Sequence, residues 1–192
     1  MAQSARREEL VDRALDLFYR HGFHATGIDR ILAEAGVAKM TLYKHFKSKD
    51  ELILAVLTRR DEKFRTWFIR EVERRGRTPR ERLLVVFDIL QTWFQSREFR
   101  GCMFVNAAAE FHEAGDPIHA AAAEHKQLVR GFLERLAREA GAPDPAMLAA
   151  SLNLLLEGAI SVAHVSGDIS GDTGAAAAAK RTAQILIDNS LG

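Results

Sequence analysis

The strongest constraint on this chain is its helix punctuation: start and stop signals recur along it, and apolar residues between them return about every 3.6 positions. Ser48-Lys49-Asp50-Glu51 and Thr78-Pro79-Arg80-Glu81 read as capping boxes, the second with proline at the first helical position. Asp116-Pro117 and Asp144-Pro145 repeat the cap-then-proline start, and Thr26 with Asp29 is a weaker version. Gly22, Gly36, Gly76, Gly115, Gly141 and Gly167 follow the periodic segments as stops. Leu10, Ala14, Leu17 and Phe18 make one stripe, and Ile28, Ile31, Leu32 and Ala35 the next. Farther on, Ile118, Ala121, His125, Leu128, Phe132 and Leu136 line one face of a longer helix. Sustained period-2 alternation and Asn-Gly or Asp-Gly hairpin signals are absent from the sequence. The expected fold is all-α, with about nine helices.

The first three helices are short and fall between residues 4 and 47, and the later ones are longer. This predicts a small N-terminal unit, 1–48, carried on a larger helical body, 49–192, with Glu51 to Arg75 bridging them. Charge divides in a similar way. The 192 residues carry 27 Lys and Arg against 26 Asp and Glu, a formal charge of +1. Residues 1–82 hold 19 against 13, a net +6, and residues 83–192 hold 8 against 13, a net −5. A basic front half and an acidic back half indicate that the front alone meets a polyanion.

Residues 26–49 carry the chemistry for such a partner. A helix buries Ile28, Ile31, Leu32 and Ala35, and Gly36 supplies the turn. A second helix, Lys39 to Phe46, then buries Leu42 and Phe46. That leaves Lys39, Met40, Thr41, Tyr43, Lys44 and His45 outward, the layout of a helix-turn-helix. Thr41 and Tyr43 offer hydroxyls to phosphate oxygens, while Lys39, Lys44 and Lys49 supply countercharge. Thr26 is expected to present its hydroxyl and the next helix start to a second phosphate. Base reading falls to Lys39, Met40 and Lys44, with Met40 suited to a thymine methyl.

The run Gly22-Phe23, Thr26, Ile31, Ala35-Gly36-Val37, Thr41-Leu42-Tyr43, His45-Phe46, Ser48-Lys49 and Leu52 resembles the DNA-binding domain of the tetracycline-repressor-like (TetR) transcriptional regulators. Two positions depart from that pattern: Leu32 replaces a usual alanine at the helix crossing, and Met40 replaces a smaller residue. The operator sequence therefore does not carry over. The resemblance implies an all-helical homodimer that binds a palindromic double-stranded DNA operator. It also implies a small-molecule effector pocket in the body and release of DNA when the pocket fills.

In the body, the apolar segment 146–166 and the alanine-rich segment 174–191 are the expected homodimer helices. Asn153, Glu157 and His164 inside the first argue for a buried helix and against a membrane span. Trp93, Asn106, Glu110 and His125 are the candidate effector-pocket residues, polar or aromatic groups on otherwise apolar helices. Asp172-Thr173-Gly174, the Asp168–Asp172 loop, and His21 with His24 lack the partners that protease, calcium or zinc chemistry needs. The expectation is no enzyme activity, no cofactor and no metal. The single cysteine, Cys102, fits a reducing cytoplasm. Two alternatives stay open: a DNA-binding protein without effector, and a redox-responsive regulator acting through Cys102, with Arg97 and Arg100 nearby in sequence.

Overall fold

A computed structural model describes the backbone of residues 2–192 and side chains from Ala5 onward. The described residues form nine α-helices and no strand. The first three are α1 (Ala2–His21), α2 (Ile28–Ala35) and α3 (Lys39–Tyr43). Then come α4 (Lys49–Arg75), α5 (Pro79–Phe94) and α6 (Met103–Glu110), followed by α7 (Pro117–Glu139), α8 (Pro145–Ser166) and α9 (Ala175–Leu191).

Helix starts are held by the caps read from the sequence. The Glu51 N–H donates to Ser48 Oγ at 3.1 Å, and the Glu51 carboxylate accepts the Lys47 N–H at 2.6 Å. Thr78 and Glu81 repeat this arrangement at α5, at 3.1 Å and 2.8 Å. Asp116 accepts the Ile118 N–H at 2.7 Å, and Asp144 accepts the Met147 N–H at 3.0 Å. Thr26 differs from expectation: Gly27 is the N-cap of α2, with no side-chain cap bond. Among the expected glycine stops, Gly22, Gly36, Gly141 and Gly167 have positive φ, whereas Gly76 and Gly115 do not.

The chain divides into two compact units, one formed by residues up to Lys63 with Met103–His125, the other by Phe64–Cys102 with Lys126–Gly192. In the first, Leu10, Ala14, Leu17 and Phe18 of α1 are buried, as are Ile31, Leu42, Phe46 and Leu52. In the second, α8 packs against α9, and both contact α5. The buried face of α8 includes Leu148, Leu152, Leu156 and Ile160. By length and composition α8 could cross a membrane, but that face belongs to the core of its unit.

The stripe on α7 runs through Ile118, Ala122, His125, Val129, Phe132 and Leu136, and Leu128 is 40% exposed. At roughly 100° per residue these six positions stay within about 40° of one direction, whereas Ala121 and Leu128 fall about 60° and 80° to one side of it, at the edge of the buried face. Helix α3 ends at Tyr43, earlier than expected, although Phe46 stays buried through a turn in which its N–H donates to the Leu42 carbonyl at 2.9 Å.

Gly101, absent from the expected stops, has φ +77°, and a Cβ there would lie 2.5 Å from His164 Nδ1. Gly101→Ala should lower stability by about 1–2 kcal/mol, seen as a lower urea midpoint at unchanged m. His164→Ala added to it should restore only the steric part, because the backbone strain remains. An unchanged midpoint in the single variant contradicts this reading.

Candidate nucleic-acid interface

Helix α3 has five residues, too few to be stable alone, so its neighbours position it. Gly36 adopts φ 63° and ψ 32°, the left-handed region that a residue with a Cβ rarely enters. Its N–H reaches the Ala33 carbonyl at 3.3 Å, and the Val37 N–H reaches Leu32 at 3.2 Å. This Schellman pair satisfies the last carbonyls of α2 and reverses the chain into α3. Leu42 at 0% exposure and Phe46 at 1% then anchor α3 in the core.

With that face buried, the opposite face is fixed outward. Met40 is 70% exposed and Tyr43 46%, Lys39 and Lys44 are exposed, and Thr41 and His45 are half-buried. The Lys39 ammonium lies 3.9 Å from Asp29 Oδ1 in an exposed pair that is worth little and yields readily to a phosphate. Lys49 begins α4, and its ammonium makes a long 3.5 Å contact to the His24 carbonyl. Arg7 of α1, which sequence reasoning missed, stacks its guanidinium 5.0 Å from the centre of the Phe46 ring. A basic residue one turn before the Leu10 stripe was the only available signal.

Thr26 does not offer its hydroxyl to a ligand. It is fully buried, and Oγ1 donates to the Gly22 carbonyl at 2.7 Å. The group holds the α1–α2 turn closed from inside.

Glu110, expected in an effector pocket, fastens the same turn. Its carboxylate accepts the N–H groups of Phe23 at 2.9 Å and His24 at 2.5 Å. The His24 ring lies 3.0 Å from the Glu110 carbonyl oxygen and 4.7 Å, centre to centre, from Phe111. The end of α6 is therefore part of the support of the helix-turn-helix. His125 is buried, with Nδ1 2.7 Å from Asp61 Oδ1 and its ring stacked 3.6 Å from Phe104. Asn106 is half-buried on α6. These three residues belong to the first unit, whereas Trp93 belongs to the second, in an aromatic group with Phe64 at 5.5 Å and Phe99 at 5.0 Å. Among the described residues, no cluster of three or more His, Cys, Asp or Glu side chains is placed to hold a metal.

Outward lysines, a tyrosine hydroxyl and an exposed methionine on one short anchored helix suit a phosphate backbone with a base edge beside it.

The pattern describing bacterial regulatory proteins of the tetR family matches residues 10–56, and that of the tetracyclin repressor-like C-terminal domain matches 79–182. The HTH-type transcriptional regulator YjdC of Escherichia coli (strain K12) is 24% identical over 155 residues, 81% of each chain. The HTH-type transcriptional repressor ComR of the same organism is 27% identical over 160 residues, 79% of this chain and 76% of ComR. The crystal structure of SCO4454, a TetR-family transcriptional regulator from Streptomyces coelicolor, superposes with a TM-score of 0.88 at 28% identity, covering 98% of this chain and 97% of that one.

Glu110→Ala removes two charge-assisted hydrogen bonds and should cost roughly 1.5–3 kcal/mol. Amide hydrogen exchange at Phe23 and His24 should accelerate about tenfold or more, with smaller effects in α8 and α9. Uniform exchange changes along the chain would contradict a local latch.

Proposed function

The chain belongs to the tetR family of bacterial transcriptional regulators, and on that footing we propose that it is a ligand-responsive repressor that binds a palindromic operator as a homodimer. The observation that carries the DNA reading is the exposed face of α3, set outward by buried Leu42 and Phe46. Tyr43, Lys44, Thr41, His45 and Lys49 contact phosphates, and Lys39, Met40 and Lys44 read base edges. Thr26 contributes by shaping the turn before α2 and makes no phosphate contact of its own. The repressor sign follows ComR, to which most of this chain aligns. A DNA partner places the protein in the cytoplasm.

The homodimer is supported by an apolar stripe that the single chain leaves uncovered. On α8, Met147, Leu154, Val162 and Val165 are 65%, 73%, 46% and 83% exposed, and on α9 Ile185 is 61% exposed. A large contiguous apolar surface on a folded chain marks an interaction site. Two-fold pairing also doubles the bases read by so short a helix and calls for a palindrome.

Trp93 and its ring neighbours are the proposed contact for an apolar effector, since Glu110 and His125 already have partners within the protein. The effector acts by binding one arrangement of the DNA-reading units better than another, because equal affinity for both shifts nothing. Helix α4 contributes residues to both compact units and is the proposed lever.

Anisotropy with a duplex from the protein's own promoter region tests the interface. Lys49→Ala should weaken binding to all sequences and reduce the salt slope by about 1, whereas Met40→Ala should change sequence preference. Tyr43→Phe should weaken binding without altering the slope. An unchanged affinity and slope for Lys49→Ala would falsify the phosphate assignment. Sedimentation should give the wild-type protein twice the 21.4 kDa chain mass, and Leu154→Glu with Ile185→Glu the mass of one chain. A wild-type species at one chain mass removes the dimer from the account.

A further inference from the structure

We propose that Cys102 and Lys126 form an oxidant-sensitive modification site, in which a peroxide-class oxidant joins their side chains through a sulfur–nitrogen bond. Lys126 Nζ lies 3.2 Å from Cys102 Sγ and 2.6 Å from Glu157 Oε2, all within one compact unit. Reactive cysteines sit beside cations and within reach of solvent. Here Cys102 as a residue is 7% exposed, but the side chains of Lys126 beside it and of Glu157, the partner of that lysine, are 26% and 25% exposed. Burial opposes the charge on Lys126, and Cys102 and Glu157 more than offset it, holding the amine above its ordinary range.

The chemistry follows from what surrounds the sulfur. A cysteine oxidised to sulfenic acid needs a second nucleophile, or it proceeds to the irreversible sulfinic and sulfonic acids. The chain has one cysteine, so no resolving thiol is available within it. An amine at 3.2 Å fills that place. The Cys102 thiolate attacks one peroxide oxygen, the O–O bond breaks, and hydroxide leaves with the electron pair. Hydroxide takes a proton from the Lys126 ammonium, with Glu157 in position to relay it. The neutral amine then attacks sulfur, and the S–O bond breaks. The departing hydroxide takes one N–H proton and leaves as water. Sulfur is oxidised by two electrons, peroxide becomes two waters, and a sulfenamide remains. Forming that bond removes the lysine charge and with it the α7–α8 ion pair to Glu157, whose Oε1 is already buried without a hydrogen-bond partner among the described residues. This chemistry does not depend on the DNA-binding reading.

The test is a peptide map of the full-length protein after hydrogen peroxide, with reductant removed beforehand. Trypsin should no longer cut after Lys126, leaving Gly101–Arg130 as one piece about 2 Da lighter than its unmodified sequence. Cleavage after Glu110, Glu113 and Glu124 should leave two fragments joined at Cys102 and Lys126, and a thiol reductant should separate them. Lys126→Arg keeps the ion pair but lacks the amine nucleophile, so its Cys102 should advance to sulfinic and sulfonic acid. The wild-type map decides the matter even if that variant folds poorly. Wild-type Cys102 that is unmodified, over-oxidised, or disulfide-bonded to a second copy overturns the proposal.

Discussion

A helix of five residues cannot hold itself together in water, and the presentation of α3 depends on the side chains that pin it. Leu42 and Phe46 lose essentially all solvent contact. Fully burying residues of this size is worth about 1.5–3 kcal/mol each, comparable to the cost of fixing a few backbone residues. The left-handed Gly36 sets the direction in which α3 leaves α2. With anchor and direction fixed, helical geometry decides which residues face away, and these are the lysines, Met40 and Tyr43. Their charge and hydroxyl chemistry therefore bears on function, since packing made no demand for it.

The turn before α2 is fixed from two sides. Inside, the Thr26 hydroxyl closes on Gly22, and from α6 the Glu110 carboxylate takes the next two backbone N–H groups. By its contacts, the unit that carries the helix-turn-helix includes α6 and the first part of α7. The proposed division of labour at residue 48 is thus one of function, while compactness follows different bounds. A carboxylate holding two backbone donors is stiff and directional, which suits a reading head whose aim must stay fixed to about an ångström.

Most of the fold was legible because helices advertise themselves twice, by apolar period and by terminal chemistry. The capping boxes at Ser48 and Thr78 and the two Asp-Pro starts stand at the starts of α4, α5, α7 and α8. The exposed face of α3 was legible for the same reason, since two buried positions four apart imply the rest. Polar residues off that pattern were not. Thr26, Glu110 and His125 read as possible ligand contacts, but each is satisfied by a partner that spacing does not reveal: Gly22, two N–H groups 86 and 87 residues away, and Asp61. Lys126 escaped notice beside Cys102 because nearness across 24 residues is a tertiary fact, whereas Arg97 and Arg100 were merely near in sequence.

The central claim is that two copies of α3 dock on one operator, each held outward by its own core. Hydroxyl-radical footprinting on the protein's own promoter region tests it most directly. The account predicts two symmetric clusters of backbone protection on one face of the duplex, centred about 34–36 Å apart or a multiple of that, one per half-site. A single cluster, or protection that persists undiminished when Lys39, Lys44 and Lys49 are all replaced by alanine, would contradict it.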